Sequence, residues 1–152
     1  KDKKRLYTQG GNFKMVVVDA IQRGGKLAMQ YIRKSNIGNI KPFFEQHIDL
    51  ENTNLHTDES PLYKGYARNV VNHSKGQYGF GSITTNRIEG VFSHFKRMVL
   101  GVYHQITHRH IDKYINSFTF RMNNRNLNIA ARFELAMNTM FGKKWTYAEL
   151  TS

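Results

Sequence analysis

Hydrophobic positions follow two different periods along this chain. Residues 13–22 (FKMVVVDAIQ) are apolar and largely β-branched, Arg23-Gly24-Gly25 supplies a turn, and 26–33 (KLAMQYIR) alternates apolar with polar. Alternation around a glycine turn predicts a β-hairpin. The spacing then lengthens: Ile37, Ile40, Phe43, Phe44, His47 and Ile48 recur three and four apart, which predicts an amphipathic helix over 36–47, with Pro42 placed awkwardly inside it. Two short strands follow, 52–57 (NTNLHT) and 69–72 (NVVN), with a short helix expected over 61–67 between them. Residues 73–82 hold Gly76, Gly79 and Gly81 and read as a mobile loop. Its aromatics, Tyr78 and Phe80, would either pin the loop to the core or stack on bases.

From residue 85 the period is helical. Ile88, Val91, Phe92, Phe95, Met98 and Val99 form one stripe over 85–100, Gly101 stands as a stop, and Asn86, Glu89, Ser93, Lys96 and Arg97 occupy the opposite face. A second helix is expected over 107–124, with Ile111, Tyr114, Ile115, Phe118 and Met122 inward and Arg109, Lys113 and Arg125 on its other surface; a third covers 127–141. Strands first, then a helix, a strand and helices last argue an α/β sheet covered by helices.

Composition narrows the partners. The 152 residues carry 23 Lys plus Arg against 11 Asp plus Glu, a formal charge of +12, and no cysteine. Disulfide scaffolds, zinc ribbons and thiol catalysts are excluded. With 39% hydrophobic residues the chain should fold as one domain of ordinary size. Its longest apolar run, 15–18, is far short of the roughly 20 residues of a membrane span, and no signal-peptide pattern opens it, so a cytoplasmic location without membrane is expected. Residues 60–133 hold eleven Lys or Arg against Glu89 and Asp112, a net of +9, so the field that would attract a polyanion comes mostly from there.

Within that basic domain Asp58 stands at an expected strand end and Glu89 on the polar face of a helix. Carboxylates set among cations suit Mg²⁺ and a phosphate-bearing substrate. The same residues also read as local structure: Asp58-Glu59-Ser60-Pro61 as a turn and helix start, Asn86 with Glu89 as a capping box. His104, His108 and His110 straddle a helix start and read as solvent-exposed or nucleic-acid-facing, not as a metal triad. Asp19, alone in a hydrophobic strand, reads as an edge or paired carboxylate.

Seven blocks then carry a resemblance: His56-Thr57-Asp58, Tyr63-Lys64-Gly65-Tyr66, Val71-Asn72-His73-Ser74, Thr85-Asn86-Arg87-Ile88-Glu89-Gly90, Phe95-Lys96-Arg97, Gly101-Val102-Tyr103-His104 and the run 118–125 (FTFRMNNR). In this order they resemble the ISXO-type insertion-sequence transposases of bacteria, relatives of the Merlin transposons. The resemblance implies a ribonuclease-H-like mixed sheet flanked by helices, carrying an Asp-Asp-Glu or Asp-Asp-Asn triad that holds two Mg²⁺ (or Mn²⁺) ions. Asp58 matches the second carboxylate, Glu89 the third acidic position, and Asn86 the asparagine that some members use instead. Lys96 matches a basic residue expected on DNA phosphate near the cut. Arg87, Lys96, Arg97, His104, Arg109, Lys113, Arg121 and Arg125 are the expected DNA contacts. The implied partners are double-stranded DNA, as element ends and target, and further copies of the chain assembled on it, at the bacterial nucleoid.

One departure is serious. The family's first aspartate sits in an Asp-Glu segment just upstream of a basic stretch that resembles Lys1-Asp2-Lys3-Lys4-Arg5, and Asp19, in the next strand where the family commonly has glycine, does not replace it. The expectation is a basic linker over 1–12, an incomplete catalytic domain over 13–126 whose first central strand lies upstream, and a C-terminal helical extension over 127–152. Such a chain would be poorly stable alone and unable to cut DNA. The competing readings are a non-catalytic DNA-binding remnant and a nuclease of the same fold.

Overall fold

A computed structural model describes residues 15–58, 60–70, 86–104, 106–142 and 146. The alternating segment forms the hairpin: β1 (Val16–Ile21) runs antiparallel to β2 (Leu27–Ile32), with Val16 opposite Ile32 and Ile21 opposite Leu27. Its turn holds Gly24 at φ 69°, a conformation that costs glycine nothing. Because side chains alternate across a strand, the hairpin is apolar on both faces. Leu27 and Met29, flanked by Val17, Ile21 and Tyr31, pack into one core, while Val18 and Ile32, flanked by Val16, Ala20 and Ala28, pack into another.

The second core is completed by α1 (Ile37–His47), which buries Ile40, Phe43 and Phe44. Asn36 caps it, its side chain accepting from the Asn39 N–H at 2.9 Å. Pro42 is tolerated because the carbonyl it cannot serve belongs to exposed Gly38, within reach of water.

The first core is completed by α2 (Asn86–Met98) and α3 (Ile111–Asn123) through Val91, Phe95, Ile111, Ile115 and Phe118, with the Phe95 and Phe118 rings edge to face at 5.2 Å. Gly101 does not stop α2. The chain continues as a π-helical turn, Val99–Tyr103, and ends at His104 with φ 58°. Tertiary contact outweighs the glycine: Val99 is fully buried, and the Tyr103 ring lies 4.5 Å from that of Tyr114 on α3. The expected start of α3 at 107 gives way to a turn closed by the His110 N–H on the Thr107 carbonyl at 3.1 Å. Asn123 then ties α3 to the hairpin, its side-chain amide accepting from the Leu27 N–H at 2.7 Å and donating to the Leu27 carbonyl at 2.9 Å.

β3 (Leu55–Thr57) and β4 (Arg68–Val70) pair in parallel. Residues 58–67 must carry the chain back to begin a parallel partner, and that crossover leaves room for only a 3₁₀ turn, Pro61–Tyr63, where a longer helix was expected. The single sheet anticipated from the element order is not formed among the described residues, which hold two separate two-stranded sheets. β1 pairs there with β2 alone, and Val16–Asp19 instead line a cavity of about 100 Å³ with Leu62, Tyr63 and Phe92. The class is mixed α/β with helices against small sheets. The last helix, α4 (Ile129–Asn138), buries no residue.

Candidate functional site

Two regions hold the candidate residues: the C-terminal end of β3 and the outer faces of α2 and α3. At the end of β3 the inward Thr57 is buried and the next residue, Asp58, is exposed. Arg68 organises this corner by donating to the Thr57 hydroxyl at 2.6 Å and the Asp58 carbonyl at 3.0 Å, with its guanidinium 5.8 Å from the centre of the Tyr63 ring. Asp58 Oδ1 accepts from the Ser60 N–H at 3.1 Å, and the Ser60 hydroxyl in turn accepts from Leu62 at 3.4 Å, so the turn-capping reading of this segment is realised. That does not exhaust the carboxylate, whose two oxygens together carry about four acceptor sites.

Asp19 lies on a strand that is an edge among the described residues, as the sequence reading allowed, and departs from its paired alternative. No partner pairs with its Oδ2 among the described residues, although that atom is closed to solvent. Burial pushes its carboxyl up to about 8, partly offset by a hydrogen bond from its own backbone N–H. The residue lines the same cavity as Tyr63. Burial raises the Tyr63 hydroxyl above its ordinary value, and the negative charges of Asp58 and Asp19 add to the rise against the opposing pull of Arg68. Asp19 thus lies in the electrostatic neighbourhood of the Asp58 corner. Its only signal in the sequence is a charge next to a valine run. Tyr63 and Arg68 carry no signal of their own, since their roles depend on the parallel return of β4.

On α2, Val91 and Phe95 face the core while Arg87, Glu89, Ser93, Lys96 and Arg97 are exposed, and Asn86 opens the helix. This is the predicted division of faces. Phe92, one turn from Glu89, reaches the cavity that Asp19 lines. His104, Arg109, Lys113, Arg121 and Arg125 are exposed as well. Arg121 donates to the Tyr103 hydroxyl at 3.3 Å and to Ser117 at 2.9 Å, and Arg125 to the Met122 carbonyl at 2.8 Å. Arg132 is half-buried and spent on the carbonyls of Asn124 and Leu127, so it adds little to an outward field. The histidines differ from one another: His104 and His108 are exposed, whereas His110 is half-buried with Nδ1 unpartnered among the described residues. Tyr78 and Phe80 lie outside the described residues.

The chemistry of the acidic side chains suits a hard divalent cation, since Asp58 and Glu89 offer oxygen donors and no thiol competes. Their number does not complete a site: among the described residues no group of three His, Cys, Asp or Glu side chains comes together around a metal. No described helix is long and apolar enough to cross a membrane.

Exposed cations along α2 and α3 favour a polyanionic partner, and comparison with known families makes this specific. Residues 1–123 match the ISXO2-like transposase domain, and the chain belongs to that family of insertion-sequence transposases. No curated protein and no solved structure matches it significantly.

Proposed function

We propose that this chain is the catalytic portion of a DNA transposase with a ribonuclease-H-like architecture, cutting element ends and joining a 3′-hydroxyl to target DNA. The observation that carries the reading is Asp58, an exposed carboxylate at the end of β3 within a chain that matches the transposase family. In this reading Asp58 and Glu89, or Asn86 in place of Glu89, hold Mg²⁺ together with a carboxylate from outside the described residues. When bound, the ions supply stabilisation of the attacking and leaving oxygens of an in-line displacement. The chain's own contribution is placement. Arg68 fixes the backbone at Asp58, α2 carries Glu89 and Lys96 on one exposed face, and the cations of α2 and α3 hold the phosphate backbone.

The test is Mg²⁺-dependent 3′-end joining on element ends by the full-length transposase containing this chain, beside its Asp58→Asn variant. Loss of joining by at least about 100-fold, the rate equivalent of a few kcal/mol, is expected. Undiminished joining by the variant would overturn the assignment of Asp58. Salt-sensitive DNA binding without joining in either protein would make the chain a DNA-binding remnant.

A further inference from the structure

A chain of contacts runs from the second core to the candidate carboxylate. Phe44, buried on α1, lies nearly parallel to Tyr63, with ring centres 5.8 Å apart and planes 13° apart. The Arg68 guanidinium in turn lies 5.8 Å from the centre of the Tyr63 ring, within cation–π range. Arg68 opens β4 opposite Leu55, and Thr57 stands two residues further along β3, a step of about 7 Å that a long side chain can span. There a single nitrogen, Nη1, donates to the Thr57 hydroxyl at 2.6 Å and to the Asp58 carbonyl at 3.0 Å. The buried Thr57 hydroxyl donates its own hydrogen to the same carbonyl at 2.9 Å, which closes the three groups into a ring. Beyond that carbonyl, Asp58 Oδ1 accepts from the Ser60 N–H at 3.1 Å.

From this we infer that Arg68 is a positioning residue for the Asp58 carboxylate, seated on the Tyr63 ring and acting through the Thr57 hydroxyl and the Asp58 backbone. The inference rests on the reading of Asp58 as a metal ligand and adds to it what keeps that ligand aimed. Two features set the arrangement apart from strand packing. First, the bonds of Arg68 and Thr57 converge on one carbonyl, that of the residue bearing the carboxylate. Second, β3 and β4 pair through their backbones, which requires no cation, yet a half-buried arginine occupies the junction. A planar guanidinium meets both local demands, a flat face for the ring and N–H groups for two oxygens; an ammonium meets only the second. A ligand oriented beforehand binds its ion without giving up that freedom, and the partners that orient such ligands are worth about 10–100-fold in metal affinity or activity.

The test measures Mn²⁺ binding, by the paramagnetic resonance of the free ion, to the full-length transposase containing this chain on element-end DNA. Arg68→Ala is expected to weaken binding about 10–100-fold. Arg68→Lys, which keeps the charge and gives up the plane, should weaken it at least about threefold while its melting and its affinity for DNA stay unchanged. Guanidinium ion, too dilute to unfold the protein, should restore Mn²⁺ binding to Arg68→Ala, and ammonium ion should not. Tyr63→Leu should weaken binding about fivefold, and Tyr63→Phe, which keeps the ring, should leave it unchanged. Unchanged Mn²⁺ affinity in Arg68→Ala would overturn the inference. A loss that follows melting and is not restored by guanidinium would overturn it as well, because Arg68 would then only hold the fold. Lost DNA affinity in place of lost metal would make Arg68 a phosphate contact, with the same result, and equal losses in Tyr63→Phe and Tyr63→Leu would take the ring out of the chain of contacts and overturn its part. Asp58→Asn separates the two readings. If that variant binds Mn²⁺ as the unmodified protein does, the metal ligand and the inference fall together; if it loses the metal beside an Arg68→Ala that keeps it, the inference alone falls.

Discussion

Helices α3 and α4 follow one another and both repeat apolar residues at intervals of three and four, yet they end in opposite environments. α3 buries Ile111, Ile115 and Phe118 against the hairpin and α2, and Asn123 fastens its end to Leu27 across 96 residues of sequence. α4 buries no residue, and among the described residues Arg132 in its first turn ties it to the carbonyls of Asn124 and Leu127. The difference teaches that amphipathicity specifies a face in need of a partner and does not name the partner. For α3 the partner is the strand whose residues 27, 29 and 31 point the same way; for α4 the chain as described provides none.

The packed half carries a liability that α4 does not, and it gives the largest expected effect. Asp19 has a carboxyl pushed up to about 8 from 3.8, so between those values the folded chain holds a proton that the unfolded chain releases. Stability therefore falls as pH rises from about 4 to about 8, by up to about 6 kcal/mol, and is level above that. Asp19→Asn should flatten that slope and raise the melting temperature at pH 8. A melting curve against pH that is equally steep in the variant would show that the carboxyl is not the cause.

The contrast between the helices is sharpened next by paired truncations. Phe118→Ala, which empties a site in the core between α2 and α3, should cost about 3–5 kcal/mol in urea unfolding. Phe133→Ala, measured where the chain is monomeric, should stay within about 0.5 kcal/mol. Comparable losses from both would break the comparison.

A smaller loss than that of Phe118→Ala is expected at the clamp. Asn123→Ala leaves the Leu27 N–H and carbonyl without their side-chain partner and should cost about 1–3 kcal/mol. Exchange of the Leu27 amide hydrogen should quicken in step. Unchanged exchange would mean that the hairpin holds its register without α3.

Much of this architecture is legible in the order of residues. Hairpin and helices follow from alternation and from three-and-four spacing, which act within a few residues, and the structure adds Asn36 and Asn128 as caps. The exposed face of α2, with Arg87, Glu89, Lys96 and Arg97, is equally local, and the blocks around Asp58 and Glu89 point to the transposase family that the match over 1–123 bears out. What the sequence could not decide depends on groups far apart in the chain. Whether strands from β1–β2 and β3–β4 join, whether Gly101 ends α2, what Asn123 holds, and whether Asp19 finds a partner are settled by which surfaces meet. Gly101 yields because burying Val99 and seating Tyr103 on Tyr114 outweighs a glycine's preference, and the Asp19 carboxyl is pushed up because burial leaves its Oδ2 without a hydrogen-bond partner among the described residues. Local signals fix elements because their energies are short-ranged; the choice of partners belongs to the tertiary structure because burial is shared between segments that no local pattern connects.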